Sequence, residues 1–75
     1  MLDQLREIIV NYVDVDAASI TPESRFMEDL GLSSFDFMTM LGELEETFDI
    51  EVDEAEASKI ITVQEALDYI SQLQA

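Results

Sequence analysis

Two adjacent hydroxyls, Ser33 and Ser34, stand just ahead of a run in which Phe37, Met40, Leu41, Leu44 and Phe48 recur at i, i+3, i+4, i+7 and i+11. That spacing is a single buried stripe of a helix, so the serines fall at its N-terminal end. Free backbone N–H groups and the positive end of the helix dipole favour a negative group there, such as a phosphodiester formed on a hydroxyl. Elsewhere the available chemistry is narrow. The 75 residues include no Cys and no His, which leaves no thiol nucleophile, no imidazole base and no ordinary zinc site. Carboxylates are plentiful, but so short a chain builds no cleft that would desolvate a pair of them for acid–base work. An enzyme is not expected, and no catalytic residue is assigned. Asp14-Val15-Asp16 opens like a calcium loop, yet position six is Ser19 rather than Gly and position twelve is Arg25 rather than Glu, so no metal ligand is assigned. Two readings of the serine pair stand at this point: both are helix caps, which is the commoner role, or one is an attachment point.

The elements that must position these hydroxyls can be read from periodicity. Leu2, Leu5, Ile8, Ile9, Tyr12 and Val13 predict an amphipathic first helix from about residue 3 to 13. Residues 14 to 32 lack a sustained period and contain the turn signal Thr21-Pro22-Glu23-Ser24. That is a long connection for a small domain, and Ile20, Phe26, Met27, Leu30 and Leu32 are expected to pin it to the core. Gly31 suits a tight turn ahead of the second helix. Ser33, three residues before Asp36, has the spacing of a capping box in which a hydroxyl and a carboxylate satisfy free N–H groups. The second helix is expected to run to about Phe48. Asp53 to Ser58 predicts one short helical turn capped by Asp53. Thr62 with Glu65 predicts another capping box, followed by a last helix that buries Val63, Ala66, Leu67, Ile70 and Leu73. With one Pro and two Gly in the chain, the expected fold is all-α. It is a small four-helix bundle, three main helices plus one short helix, with a long loop between helices one and two and a single domain over residues 1 to 75.

On the wheel of the second helix, Ser34, Phe35, Met38, Gly42 and Glu45 share a face turned away from the core stripe, with Thr39, Glu43 and Glu46 beside it. An apolar pair rimmed by carboxylates has the composition of a docking surface; the competing reading is that Phe35 and Met38 close over the loop or the last helix. Eighteen acidic residues face three cations, Arg6, Arg25 and Lys59, for a net charge of −15. Such a field repels nucleic acid and anionic membrane and attracts basic patches on other proteins, although acid also serves plain solubility. Met1-Leu2-Asp3-Gln4-Leu5 lacks the basic-then-apolar run of a signal peptide, and no apolar stretch reaches the roughly 20 residues that span a bilayer. A cytoplasmic, monomeric protein is expected, and the absence of Cys agrees with that compartment.

Three separated stretches carry a resemblance. Glu28-Asp29-Leu30-Gly31-Leu32-Ser33-Ser34-Phe35-Asp36 resembles the acyl carrier protein signature, usually D-L-G-x-D-S-L-D. The likeness continues through Leu44-Glu45-Glu46-Thr47-Phe48-Asp49-Ile50-Glu51-Val52 and Ile60-Ile61-Thr62-Val63-Gln64-Glu65-Ala66, and ends on Asp68-Tyr69-Ile70. The resemblance implies that Ser34 receives 4'-phosphopantetheine from coenzyme A by way of a phosphopantetheinyl transferase. It further implies that acyl groups travel on the arm as thioesters, most readily in type II fatty-acid synthesis. It assigns Asp29, Phe35, Asp36, Met38, Thr39, Glu45 and Glu46 to the face that meets acyl-chain synthesis or transfer enzymes through their basic patches. It also makes Phe26, Phe37, Met40, Leu44, Ala57, Ile60, Ala66 and Ile70 candidate lining for a sheltered acyl chain, although all of these read equally well as plain core. The sequence departs from the family pattern at four places. Ser33 replaces the usual Asp, Phe35 the usual Leu, Thr39 a commonly acidic residue, and Phe37 is bulkier than is usual near the pocket mouth. These departures keep open a specialised carrier for a polyketide, lipid or aminoacyl pathway. A peptidyl carrier usually has G-G-x-S before its modified site, unlike Gly31-Leu32-Ser33-Ser34. A non-carrier acidic interaction module is the remaining alternative, and it gives no reason for the Ser34 signature.

Overall fold

The computed structural model describes Met1 to Gln74, and among these residues regular structure is helical. Helix α1 spans Leu2–Ile9, α2 Ser34–Phe48, α3 Glu54–Ala57 and α4 Val63–Gln74, with a 3-10 turn at Ala17–Ser19 inside the long connection. This is the expected order of three main helices and one short one.

Helix α1 ends earlier than its apolar spacing predicts. After Ile9 the backbone bonds shorten to Asn11 N–H on Ile8 C=O and Tyr12 N–H on Ile9 C=O, an i to i−3 pattern that tightens the last turn and stops it. Asn11 and Asp14, which compete with the helical backbone for hydrogen bonds, follow at once. Leu5, Ile8 and Ile9 are buried, while Tyr12 and Val13 continue the stripe from outside the helix, half-buried. The Tyr12 hydroxyl donates to Glu43 Oε1 at 2.8 Å and ties this exit to α2. Burial, then the Glu43 carboxylate, raises the phenol above its ordinary value.

The long connection is held at several points. Arg6 Nε donates to Ile20 C=O at 2.9 Å, and the buried Ser24 hydroxyl accepts from Thr21 N–H at 3.0 Å. Arg25 and Thr62 form an antiparallel bridge. Within it Phe26 N–H donates to Ile61 C=O and Val63 N–H to Ser24 C=O, each at 2.9 Å. Ile20, Phe26, Leu30 and Leu32 are buried as expected. Met27 is not: it is 50% exposed, because the bridge turns Phe26 inward and its neighbour outward. Gly31 has φ +79°, the left-handed conformation that an L side chain rarely adopts, and it turns the chain from the loop into the cap of α2.

The core gathers Leu5, Ile9, Ile20, Phe26, Met40, Val63 and Ile70, all essentially inaccessible. Helix α2 ends on Asp49 in the left-handed region at φ 53°, with its N–H returning to Glu45 C=O. This is a position glycine usually fills and that Asp tolerates. In α3, Asp53 accepts from Ala55 N–H at 2.9 Å. At α4 the capping box is complete: Thr62 Oγ1 accepts from Glu65 N–H, and Glu65 Oε1 accepts from Thr62 N–H and Ile61 N–H. Those amide bonds hold the Glu65 carboxyl below its ordinary value. The expected stripe of α4 is buried at Val63, Ala66 and Ile70 and half-buried at Leu67, but Leu73 is 38% exposed.

Candidate functional site

The two serines that open α2 differ in what their hydroxyls do. Ser33 is the N-cap, and its Oγ accepts from Asp36 N–H at 3.1 Å. The predicted return bond from the Asp36 carboxylate to Ser33 N–H does not form among the described residues; Asp is one methylene shorter than the Glu that closes the box at Thr62. Ser34 is the first helical residue, and its exposed side chain has no hydrogen-bond partner among the described residues. It therefore presents a free hydroxyl at the positive end of a 15-residue helix.

That hydroxyl borders a cleft of about 220 Å³ walled by Met27, Phe37, Met38, Ser58 and Ile60. A second cleft of about 210 Å³ shares Met27, Phe37, Ser58 and Ile60 and extends between Arg25, Phe26, Glu28 and Ile61. Of the eight candidate pocket residues, Phe26, Phe37 and Ile60 thus border open space. Met40, Leu44, Ala57, Ala66 and Ile70 do not. They are buried core residues, and neither cleft reaches them. Helical periodicity identifies them as inward-facing and cannot distinguish a lining residue from a filled one. Met27, Ser58 and Ile61 also line the clefts, although nothing in the sequence marks them as lining; they occupy segments without a period, where no pattern signals them.

The expected docking residues fall into two groups. Phe35 is 80% exposed and Met38 41%, with Thr39 and Glu46 exposed alongside, so the apolar pair faces solvent and does not close over the loop. Thr39 Oγ1 donates back to Phe35 C=O at 3.1 Å. The other acids are partly committed. Glu45 Oε2 accepts from Val52 N–H at 3.2 Å and so holds the α2–α3 connection, while Asp36 is half-buried. Asp29 is turned onto Arg25, taking its backbone N–H at 2.8 Å and two guanidinium N–H groups at 3.1 Å each. Those bonds hold the Asp29 carboxyl below its ordinary value and raise the Arg25 guanidinium. Glu28 pairs with the same guanidinium. The acid of the Asp-Leu-Gly segment is therefore a loop clamp that shares the Arg25 guanidinium with Glu28.

Comparison with known proteins decides what this arrangement belongs to. The profile described as the phosphopantetheine attachment site matches residues 3–70, nearly the whole chain. The chain belongs to the acyl carrier protein family. It is 42% identical over 74 residues to an acyl carrier protein of Rubrobacter xylanophilus, covering 99% of this chain and 91% of that protein. A solved structure of the acyl carrier protein from Enterococcus faecalis superposes with a TM-score of 0.82 at 35% identity, covering 96% of this chain and 91% of that one. Acyl carriage on phosphopantetheine is thus the function, and a plain acidic adaptor is set aside. Carriage of this type involves a phosphopantetheinyl transferase and acyl-handling enzymes. Among the described residues no helix is long and apolar enough to cross a membrane.

The residues fit a covalently attached phosphopantetheine. A free hydroxyl, a helix N-terminus suited to a phosphodiester, and an apolar cleft beginning at that hydroxyl adjoin one another.

Proposed function

We propose that Ser34 is the attachment residue and that this chain delivers acyl groups to partner enzymes without performing chemistry on them. The observation that carries this reading is the division of labour between adjacent hydroxyls, Ser33 bonded as the cap and Ser34 free and exposed. When bound, phosphopantetheine supplies a terminal thiol on which acyl groups are held as thioesters. This chain's own residues hold and present. The N-terminus of α2 favours the phosphodiester, and the Met27, Phe37 and Ile60 wall gives the arm a surface to lie against. Among the described residues no carboxylate is hydrogen-bonded to the Ser34 hydroxyl and the chain contains no His or Cys, so the base that takes its proton belongs to the transferase.

The docking face centres on Phe35 and Met38 with Thr39, Glu45 and Glu46, and Asp36 lies at its edge. Asp29 supports the loop next to it. A net charge of −15 supports partners with basic patches, whose attraction speeds encounter and weakens with salt. We place the chain in the cytoplasm as a monomer, one carrier domain over residues 1 to 75, with type II fatty-acid synthesis as its pathway. A radius of gyration of 11.1 Å, close to the value of about 11 Å for one compact domain of this length, supports the single domain. A dedicated carrier for a polyketide, lipid or aminoacyl pathway is the second reading, and the departures from the family pattern at Ser33, Phe35, Phe37 and Thr39 favour it.

Intact mass after incubation with coenzyme A and a promiscuous phosphopantetheinyl transferase tests the assignment. One added phosphopantetheine that disappears with Ser34→Ala and persists with Ser33→Ala is expected. Loss only with Ser33→Ala would move the site by one residue, and no gain beside a working control carrier would overturn the attachment.

A further inference from the structure

We propose that Met27 and Met38 form an oxidation site beside Ser34: a peroxide turns their thioethers into sulfoxides, and the oxidised carrier binds its transferase less tightly. The consequence for the transferase rests on Ser34 as the attachment point; the oxidation itself does not.

The chain has four methionines and no Cys or His, so before the arm is attached its softest groups towards an oxidant are thioethers. The fold sorts them. Met40 is wholly buried, whereas Met27 and Met38 are exposed. Met38 and Met40 lie two residues apart on α2, a rotation of about 200°, so one faces solvent and the other the core. Met27 is turned outward by the Arg25–Thr62 bridge. Although they belong to different segments, both side chains wall the cleft of about 220 Å³ that Ser34 borders. Met1 is exposed too, but it borders neither cleft, and its sulfur receives the Ser71 hydroxyl at 3.9 Å. It is a reactive thioether outside the site, and therefore a control.

With hydrogen peroxide the step balances without a further reactant. The thioether sulfur attacks one peroxide oxygen, and the S–O bond forms as the O–O bond breaks. The second oxygen leaves as water with both protons; sulfur gives up two electrons and the peroxide takes them. The product is polar and chiral where the thioether was apolar. On Met38 that change falls beside Phe35, three residues earlier on the same exposed face. A sulfoxide oxygen covered by a partner loses its water and needs a donor that an apolar contact does not supply. On Met27 it falls on the loop side of the same cleft. Binding lost alike in ground and transition states raises KM and leaves kcat alone.

The test treats the unloaded full chain with hydrogen peroxide, removes the excess with catalase and locates the added oxygen by peptide mass. Loading with coenzyme A and transferase is then followed by intact mass. Met27 and Met38 should each gain one oxygen about tenfold or more faster than Met40, which reacts only when the core opens. KM for the carrier should rise about fivefold with kcat unchanged, a loss of the size that follows damage to an interface anchor. Methionine sulfoxide reductase should restore the starting KM. The double variant Met27→Leu/Met38→Leu, similar in volume and checked for folding by circular dichroism, is compared with itself before and after peroxide and should show no change in KM. Oxygen on Met40 as fast as on Met27 and Met38, or an unchanged KM in the oxidised parent, would overturn the proposal. So would an equal rise of KM in the treated double variant, which places the damage elsewhere, Met1 included. Failure of the untreated chain to load counts against Ser34 as the attachment residue and leaves the map of oxidation standing.

Discussion

Exchanging Ser33 and Ser34 for alanine one at a time should separate a structural hydroxyl from a functional one. Ser33 Oγ receives Asp36 N–H at 3.1 Å, one of the orphan donors of the first turn of α2. Removing such a cap costs about 1 kcal/mol. For a domain of this size that lowers the melting temperature by about 4–8 °C. The loss is a sizeable share of the total stability, which for 75 residues is on the order of 4–11 kcal/mol. Ser34 is exposed and bonds to nothing among the described residues, so Ser34→Ala should stay within about 0.5 kcal/mol of the parent. Thermal melts by circular dichroism measure the first effect, and intact mass after treatment with coenzyme A and transferase measures the second. The expected pattern is crossed: Ser33→Ala melts lower and still gains the group, Ser34→Ala melts as before and gains nothing. Equal destabilisation by both substitutions, or a normal gain by Ser34→Ala, would refute the division of roles.

Three other outcomes follow from the same geometry. Phe35→Ala should leave the melting temperature nearly unchanged, since the ring is 80% exposed, yet weaken binding to a partner enzyme by about fivefold or more, as truncated interface aromatics do; unchanged affinity in a titration would remove Phe35 from the docking face. Arg25 holds the Asp29 carboxyl below its ordinary value, so the clamp contributes stability above about pH 4 and loses it as pH falls through the lowered folded value. The melting-temperature gap between the parent and Asp29→Asn should therefore narrow in acid, and a gap constant down to strongly acidic pH would count against the clamp. A net charge of −15 on so small a domain is self-repelling, so stability should rise with ionic strength, and a melting temperature flat from low to high salt would contradict this.

Much of this architecture is written in local signals. The stripe from Phe37 to Phe48, the Asp53 cap and the Thr62–Glu65 box each involve residues close together along the chain, and each appears where expected. What is illegible depends on partners distant in the chain or on geometry finer than residue type. Nothing in the local pattern reveals that Tyr12 reaches Glu43, or that Glu45 serves the amide of Val52 as well as the solvent face. Met27 follows a buried Phe in an aperiodic loop, and only the bridge to Thr62 determines which of them turns inward. The pocket candidates show the same limit. A core position and a lining position obey the same periodicity, and the difference lies in whether neighbouring side chains leave a void. For Ser34 the local pattern allows a cap or an attachment point, and a free hydroxyl emerges only once Ser33 is seen to hold the Asp36 amide.

The bridge between Arg25 and Thr62 also has a consequence for the order of events during synthesis. The backbone hydrogen bonds of helices α1 and α2 join near neighbours along the chain, but the loop between them is secured by backbone groups of Ile61 and Val63, which are made much later. A nascent chain that ends before Ile61 has no acceptor for the amide of Phe26 and no donor for the carbonyl of Ser24. The turn that leads through Gly31 to Ser34 thus acquires its native support last, after the start of α4 has left the ribosome. The hydroxyl proposed for attachment has a folded setting assembled from both halves of the sequence, so a truncated product displays the signature without the structure that presents it.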